Sequence, residues 1–173
     1  TVDSSWTQGR SVFGGMTAAL VLTHIESQTG LNDRDLRTIN IHFCGPALQN
    51  APCELRCKVL SDGKSVIQVE GQLLQDDQVK TQVIACFGRQ RISEIQVNPP
   101  PMLFEKSPEQ GIQMPFIKGM VPEFVNYLDT RFTSTALPYS GSDNTVISGW
   151  MRFNEAPAVF SDSAILALID AWP

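Results

Sequence analysis

The acidic residue Asp170 has the sequence position that most directly suggests chemistry. It follows the apolar run Ala164–Ile169, so its carboxylate comes at the end of an otherwise hydrophobic segment. A carboxylate in such a place either faces solvent at a helix end or is placed to orient or deprotonate a water molecule. The residue types alone leave both interpretations open.

A pair of glycines marks a second place where the backbone itself could bind a ligand. Gly14 and Gly15 directly precede the helix candidate Met16–Gln28, which has no internal breaker. Glycine lets the backbone approach another group closely, and the N–H groups at a helix start attract anions. The same pair also fits simple packing of a helix start against a sheet. Arg10, just before the glycines, either contacts a ligand or forms a surface ion pair.

The cysteines and histidines do not predict a metal site. The four cysteines all have apolar neighbours in strand-like segments: Cys44, Cys53, Cys57 and Cys86. No pair has Cys-x-x-Cys spacing, and only His24 and His42 are available to complete a ligand set. Cys53 and Cys57 would lie ~13 Å apart on one strand face, too far for a disulfide. We therefore expect buried, reduced thiols, a cytoplasmic location, and no metal or other cofactor.

Composition narrows the class of protein further. The 173 residues carry a formal net charge of −5, with 42% hydrophobic and 18% charged residues. This excludes a disordered chain, because enough apolar side chain is present to build a core. Without a basic run, nucleic acid is not an expected partner. The longest apolar stretches are much shorter than the ~20 residues that a membrane-spanning helix needs.

The first part of the chain predicts a sheet wrapped round one helix. A short strand-like piece, Val2–Thr7, precedes the helix, whose apolar residues cover more than one stripe and so predict burial on most sides. Apolar and polar residues then alternate with the period of a strand, and Asp62-Gly63 is a hairpin signal. The predicted strands are Thr38–Phe43, Cys53–Leu60, Ser65–Leu74 and Val79–Phe87. This is the α+β hot-dog arrangement, an antiparallel sheet curled round a central helix.

The second part of the chain predicts the start of another such unit. A proline-rich connector leads to two strand candidates, Glu123–Thr135 and Val146–Phe153, and to a helix that begins at Ser161 or Asp162. We expect a first hot-dog repeat at residues 1–95, a connector at 96–122 and an incomplete second repeat at 123–173. Since this second helix would leave large side chains wet, the sequence predicts either further sheet after residue 173 or a partner chain that covers it.

Several short motifs resemble those of a known family. The string Trp6–Gly15 is similar to the opening motif of the double hot-dog acyl-CoA thioesterases, the thioesterase II-like superfamily. Shorter matches follow in the same order as in that family: His42-Phe43 before Pro46-Ala47, Val59-Leu60 before Asp62–Ser65, Gln75-Asp76, Ser148–Arg152 and Leu168–Pro173. The resemblance implies a double hot-dog fold and hydrolysis of an acyl-CoA thioester by water.

The resemblance also implies roles for particular residues. Asp170 corresponds to the catalytic Asp of the second repeat, whose Thr and Gln partners would lie beyond Pro173. The segment around the first helix start, with Gly14, Gly15, Met16 and Arg10, would stabilise the oxyanion and bind substrate. It further implies that the protein forms a homo-oligomer.

Two positions depart from the family pattern. Arginines common in the family are replaced here by Gly45 and Ser61, which leaves Arg10, Lys64 and Arg152 as the remaining cations for coenzyme A. Recognition of coenzyme A would be altered if the missing arginines hold its phosphates.

Two other functions stay open at this point. A hot-dog hydratase or dehydratase would need His24 or His42 paired with an acid. A non-catalytic acyl-binding module would fit the replaced arginines and the absent Thr and Gln.

Overall fold

The computed structural model describes residues 1–100, 106–134, 141–143 and 146–172. Pro101, Thr135 and Pro173, which belong to predicted segments, lie outside the described residues. The helices are α1 (Gly14–Gln28) and α2 (Asp162–Asp170). The strands are β1 (Thr7–Gln8), β2 (Ser11–Val12), β3 (Arg34–Phe43), β4 (Glu54–Asp62), β5 (Val66–Gln75), β6 (Gln78–Arg89), β7 (Ile112–Gln113), β8 (Leu128–Phe132) and β9 (Gly149–Phe153).

The first part of the chain forms an antiparallel four-stranded sheet in the order β3-β6-β5-β4. The turn between β4 and β5 falls at the predicted hairpin, where Gly63 N–H donates to the carbonyl of Val66. Asp76 and Asp77 connect β5 to β6 with φ values of 50° and 58°. Aspartate tolerates this left-handed conformation, which a two-residue hairpin requires.

Helix α1 packs across this sheet and supplies the centre of the core. Its side chains Val21, Leu22 and Ile25 are fully buried. Gly71 of β5 allows the close approach, because a Cβ atom there would lie 2.6 Å from Val21 and 2.7 Å from Ile25. The predicted inward residues of the two central strands are buried as well: Ile67, Val69, Gly71 and Leu73 of β5, and Val83, Ala85 and Phe87 of β6. The predicted hot-dog unit is confirmed.

The two edge strands are less covered than their alternation predicts. Phe43 is 54% exposed and Val59 is 44% exposed, although both are among the apolar residues that alternate with polar ones along the predicted strands. Phe43 ends the edge strand β3, and Val59 adjoins a register shift in the edge strand β4, so neither has a neighbour on both sides. Cys44 follows β3 and is exposed, and Cys53, Cys57 and Cys86 are only half-buried, so the expected burial of the four thiols is wrong; all four are described as free cysteines.

The second part of the chain forms an antiparallel sheet of three short strands, in the order β7-β8-β9, followed by α2. Helix α2 packs against α1. Within α2, all of whose residues are described, Ala167 is the one buried side chain, while Ile169 is 68% exposed. Residues 123–172 thus contain a strand, a strand and a helix in the predicted order, while β7 is an additional strand within the predicted connector.

Several predicted boundaries are wrong by a few residues. Val2–Thr7 is mainly a 3-10 turn at Ser4–Trp6, in which Asp3 caps the Ser5 N–H. Helix α1 begins two residues before Met16. Likewise, Glu123–Tyr127 forms a 3-10 helix, so that strand β8 starts at Leu128. Strand β9 covers only the end of Val146–Phe153. None of the described helices has the length and hydropathy that crossing a membrane requires.

Candidate functional site

Asp170 lies where the two helices meet. It is the last residue of α2, and its side chain is directed at the first residue of α1. A Cβ atom added to Gly14 would lie 2.9 Å from Oδ2 of Asp170 and 3.0 Å from the Phe43 ring. The carboxylate and the aromatic ring therefore bracket the glycine, and the absence of a side chain at position 14 leaves room for both.

The start of α1 offers backbone donors beside this carboxylate. Its N-cap residue, Phe13, provides no side-chain cap. The first N–H groups of a helix have no partner within the helix, and in the described chain Gly14 and Gly15 donate to no backbone carbonyl outside it. The partial positive charge at a helix N-terminus favours a nearby anion. A carboxylate, or an oxygen that acquires negative charge during a reaction, is stabilised at this position.

A large, mostly apolar cavity of about 590 Å³ opens on one side of Asp170. Its wall comes from the end of the connector, from the 3-10 helix before β8, and from one face of β8. The lining residues are Gln8, Ile112, Gln113, Met114, Pro115, Met120, Val121, Pro122, Phe124, Val125, Leu128, Thr130, Phe132, Asp170, Ala171 and Trp172. The cavity is suited to a hydrophobic group, because most of these side chains present carbon atoms.

A smaller cavity of about 330 Å³ lies on the other side of the same carboxylate. It is lined by Gln8, Ser11, Val12, Gly14, Thr17, Phe43, Gly45, Pro46, Ala47, Thr81 and Asp170. Within it, the Thr81 hydroxyl donates to Thr17 Oγ1 at 2.9 Å, and the Thr17 hydroxyl donates to the Gly14 carbonyl at 2.9 Å. This chain of hydrogen bonds ties the start of α1 to strand β6.

The other residues that the sequence singles out lie at different distances from this centre. Gly15 is a packing contact between the helices, because a Cβ atom there would lie 2.6 Å from the Phe13 ring and 3.0 Å from the Ala167 carbonyl oxygen. Met16 is half-buried and contacts the cores on both sides of α1. Arg10 is exposed in the turn between β1 and β2 and lines neither cavity. The structure thus brings together Asp170 and Gly14, and it leaves Arg10 outside.

The two positions that depart from the family pattern, Gly45 and Ser61, also differ in whether they lie next to a cavity. Gly45 lines the smaller cavity, whereas Ser61 lies on the exposed edge strand β4. A Cβ atom on Gly45 would meet only Lys80, at 3.8 Å, so a larger side chain has room there. Arg152 is 76% exposed and its guanidinium lies 3.1 Å from Oδ2 of Asp129.

Among the described residues after the first sheet, Asp129 is the one charged residue that is buried. Its side chain is 8% exposed, and Oδ1 lies 2.9 Å from Nε of Arg131. The hydrogen bond from Arg131 holds the pKa of this carboxyl below its usual value, and Arg152 acts in the same direction. Thr130 and Phe132 line the large cavity, whereas Asp129 and Arg131 alternate with them along β8 and line a different cleft, together with Arg152 of β9.

The described part of the structure contains neither a histidine next to Asp170 nor a cluster of metal-binding side chains. Neither His24 nor His42 lines either of the two cavities next to Asp170, and neither forms an ion pair with a described carboxylate. The described residues contain no group of three or more His, Cys, Asp and Glu side chains arranged for a metal ion.

The sequence missed several residues of the site. Gln8 lines both cavities, Thr17 and Thr81 line the smaller one, and Phe43 covers Gly14. Alternation along β6 predicts that Thr81 faces inward with Val83, and that pattern was the available signal. Gln8 lies within the string Trp6–Gly15, but no local pattern marks it as a site residue, because the cavities that it lines are formed by residues far away along the chain.

Comparison with models of protein families identifies one family. A family model described as the acyl-CoA thioesterase N-terminal domain matches residues 2–88, which is just over half of the chain. No curated relative matches the sequence.

Solved structures show the same fold. A conserved protein of unknown function with a hot-dog fold from Alicyclobacillus acidocaldarius is 21% identical, with a TM-score of 0.83, over 99% of this chain and 62% of that one. A tesB protein from Mycobacterium avium subs paratuberculosis is 18% identical, with a TM-score of 0.69, over 93% and 58% of the two chains. The acyl-CoA thioesterase II TesB2 from Mycobacterium marinum is 15% identical, with a TM-score of 0.70, over 91% and 59%. The present chain therefore spans 58% to 62% of the length of these relatives.

Proposed function

The chain belongs to the acyl-CoA thioesterase family, through its N-terminal domain, and from this premise we propose that it takes part in hydrolysing the thioester of an acyl-CoA. The observation that carries the proposal is the position of Asp170, between two cavities and against the uncapped start of α1.

In the proposed reaction, Asp170 acts on water. Its carboxylate takes a proton from a water molecule as the water oxygen attacks the carbonyl carbon of the thioester. The carbonyl oxygen becomes negative and is stabilised by the N–H groups of Gly14 and Gly15. The carbon–sulfur bond then breaks, and the thiolate of coenzyme A takes up the proton, leaving a free carboxylic acid.

The two cavities would hold the two sides of the substrate. The large apolar cavity accepts the acyl chain, because its walls are mostly carbon and burial of each methylene contributes about 0.8 kcal/mol. The smaller cavity, with its threonine hydroxyls, faces the polar arm that leads to coenzyme A. With the substrate held in this way, the thioester would lie beside Asp170.

The proposal is tested by replacing Asp170. We expect Asp170→Asn to lower thiol release from acyl-CoA substrates at least about a hundredfold, the usual scale for losing a positioned base. The matched control is Asp162→Asn at the opposite end of the same helix, whose side chain lies outside both cavities and whose change should leave the rate within about twofold. Both variants are measured in the full-length protein with a panel of acyl chain lengths.

Each other outcome has a definite meaning. An Asp170→Asn protein that is folded and hydrolyses at the wild-type rate removes this residue from the mechanism. Wild-type protein that binds acyl-CoA but releases no thiol, for any chain length, supports the non-catalytic binding module instead. Hydration or dehydration of an acyl thioester without thiol release, lost in His24→Ala or His42→Ala and kept in Asp170→Asn, supports a hydratase or dehydratase.

Two further properties remain predictions. Self-association into a homo-oligomer is expected from the family resemblance, and light scattering would show a monomer mass if it is wrong. A cytoplasmic location is expected from the unpaired cysteines.

A further inference from the structure

Thr130 brings a hydroxyl group into the wall of the large, mostly apolar cavity. It lies on β8 between Leu128 and Phe132, which line the same cavity about 7 Å away from it along the strand. Asp129 and Arg131 alternate with these three residues and line the cleft on the other face of the sheet. Since successive side chains of a strand point to opposite faces, the Thr130 side chain is directed into the cavity.

The Thr130 hydroxyl has no hydrogen-bond partner among the described residues, although the residue is only 4% exposed. The side chains nearest to it along the sheet offer none. Its partner across the β8–β9 pair is Met151, and the backbone N–H that bonds to its carbonyl belongs to Met114. A methionine sulfur is only a weak acceptor. A buried hydroxyl without a partner is costly compared with a valine of similar shape, so this hydroxyl needs a partner from whatever fills the cavity.

The other oxygen-bearing side chains at this cavity have different positions. Gln8 and Asp170 also line the smaller cavity, so they lie where the thioester is proposed to be held. The Gln113 carboxamide donates to Oδ1 of Asp129 at 3.3 Å, on the charged face of the sheet. Of the two cavities, Thr130 lines the large one only. Its hydroxyl is therefore a polar group in the part of the wall that we assign to the acyl chain.

We infer that the acyl group of the substrate carries an oxygen substituent, a hydroxyl or an oxo group, that hydrogen-bonds to Thr130. The inference rests on the proposed hydrolysis and names the class of its substrate. A threonine hydroxyl both donates and accepts hydrogen bonds, so it pairs with either substituent. A plain hydrocarbon chain leaves it without a partner, and a site of this kind discriminates against the analogue that lacks the oxygen. No bond forms or breaks at Thr130, which fixes the acyl group away from the reacting carbon.

The first measurement compares substrates with the full-length protein. The panel contains unsubstituted acyl-CoAs and their analogues with a hydroxyl or oxo group at successive carbons of the chain. We expect kcat/KM for thiol release to be about tenfold to a hundredfold higher when the substituent is on the carbon that reaches Thr130 than for the unsubstituted chain. Substituents on other carbons should lower kcat/KM, because they meet the apolar wall.

The second measurement removes the hydroxyl. Thr130→Val keeps the shape of the side chain and should lower kcat/KM for the preferred oxygenated substrate by about tenfold to a hundredfold, without slowing hydrolysis of the unsubstituted chain. Thr130→Ser keeps the hydroxyl and should keep the preference. The matched control is Thr38→Val on β3, where the threonine is exposed and lies outside both cavities. Its substrate profile should equal that of the wild type.

A purely structural role for Thr130 has a different signature. If its hydroxyl stabilised the fold, Thr130→Val would lower the melting temperature and slow the hydrolysis of every substrate alike. We expect the melting temperature of Thr130→Val to equal or exceed that of the wild type, because a methyl group replaces a buried hydroxyl that has no partner. If Thr130→Val does not fold, Thr130→Ser must keep the preference and Thr130→Ala must lose it.

The outcomes separate this inference from the function on which it rests. Wild-type protein that hydrolyses unsubstituted chains as fast as every oxygenated analogue overturns the inference and leaves the proposed hydrolysis in place; the hydroxyl then binds only water. A preference that persists in folded Thr130→Val overturns it too. If no acyl-CoA releases thiol, the proposed hydrolysis fails, and calorimetric binding of the same panel decides the inference. Tighter binding of oxygenated chains that Thr130→Val abolishes supports it, and equal affinities overturn it.

Discussion

Helices α1 and α2 have similar apolar sequences and very different surroundings. Six residues of α1 are buried, among them Val21, Leu22 and Ile25, because a four-stranded sheet lies across it. One residue of α2 is buried, and Ile165 and Ile169 remain 39% and 68% exposed. An apolar helix sequence thus indicates that its side chains need to be buried. Whether they are buried depends on the other segments that pack against the helix.

The two sheets differ in the polar contacts that they contain. In the first, the inward side chains form one apolar core, with the Thr17–Thr81 pair as a buried polar contact at its edge. In the second, a nearly buried aspartate is paired with two arginines at the β8–β9 pair. The first part of the chain therefore has a large apolar core, whereas the second combines a smaller apolar cluster, round Phe124, Val125 and Leu128, with a nearly buried ion-paired carboxylate.

The largest expected effect comes from matched isoleucines on the two helices. Ile25→Ala should lower the free energy of unfolding by about 2 to 5 kcal/mol, because the side chain is fully buried. Ile169→Ala should change it by no more than about 0.5 kcal/mol, because this side chain is largely exposed. Denaturant unfolding monitored by circular dichroism measures both. Equal losses would mean that the outer face of α2 is covered in solution.

A smaller effect is expected at the contact between the helices. Gly14→Ala introduces a Cβ atom 2.9 Å from Oδ2 of Asp170, so the carboxylate or the Phe43 ring must move. We expect thiol release to fall by about tenfold to a hundredfold, with the melting temperature unchanged, because a small displacement of a reacting group is costly. Gly30→Ala, in open space beyond the other end of α1, is the control. A wild-type rate in Gly14→Ala would argue against the helix contact as the reacting centre.

The smallest effect tests the charged part of the second sheet. Asp129→Asn should lower the free energy of unfolding at neutral pH by about 1 to 2 kcal/mol, since Arg131 loses its partner while Arg152 stays hydrated. Asp77→Asn is the control, because Asp77 is 93% exposed and Asn tolerates the same backbone conformation. No difference between the two variants would contradict the role given to charge.

The pH dependence of Asp129 has a definite sign. Its folded-state pKa is lowered, so its contribution to stability is complete above the unfolded-state pKa and is lost as the pH falls through the folded-state value. Acid titration of unfolding should therefore show a step in the wild type that Asp129→Asn lacks. A step that persists in the variant would have to come from another carboxyl group.

Much of the fold was predictable because it depends on local periodicity. Alternation identified the inward residues of β5 and β6, and Asp62-Gly63 located a hairpin. The errors in predicted burial occur where a residue's position along its strand does not determine whether neighbouring segments bury its side chain. Phe43 alternates correctly but lies on an edge strand, so its ring is half exposed and contacts Gly14 instead of the sheet core.

The candidate site was predictable only in part. Asp170 and Gly14 were both singled out from sequence and resemblance, and they are in contact in the structure. The roles given to Arg10, Gly15 and Met16 stay predictions; Gly15 lies in helix packing and Arg10 outside both cavities. Gln8 carries no local signal, because its place depends on the meeting of segments more than 150 residues apart.

The amino-acid sequence alone determined the order of strands and helices and the side chains that need burial, because these depend on periods of two and of 3.6 residues. Only the tertiary structure decided which polar groups share a cavity. The end of α2 meets the start of α1 through packing between distant segments, and the spacing of residues along the chain does not specify which segments pack together.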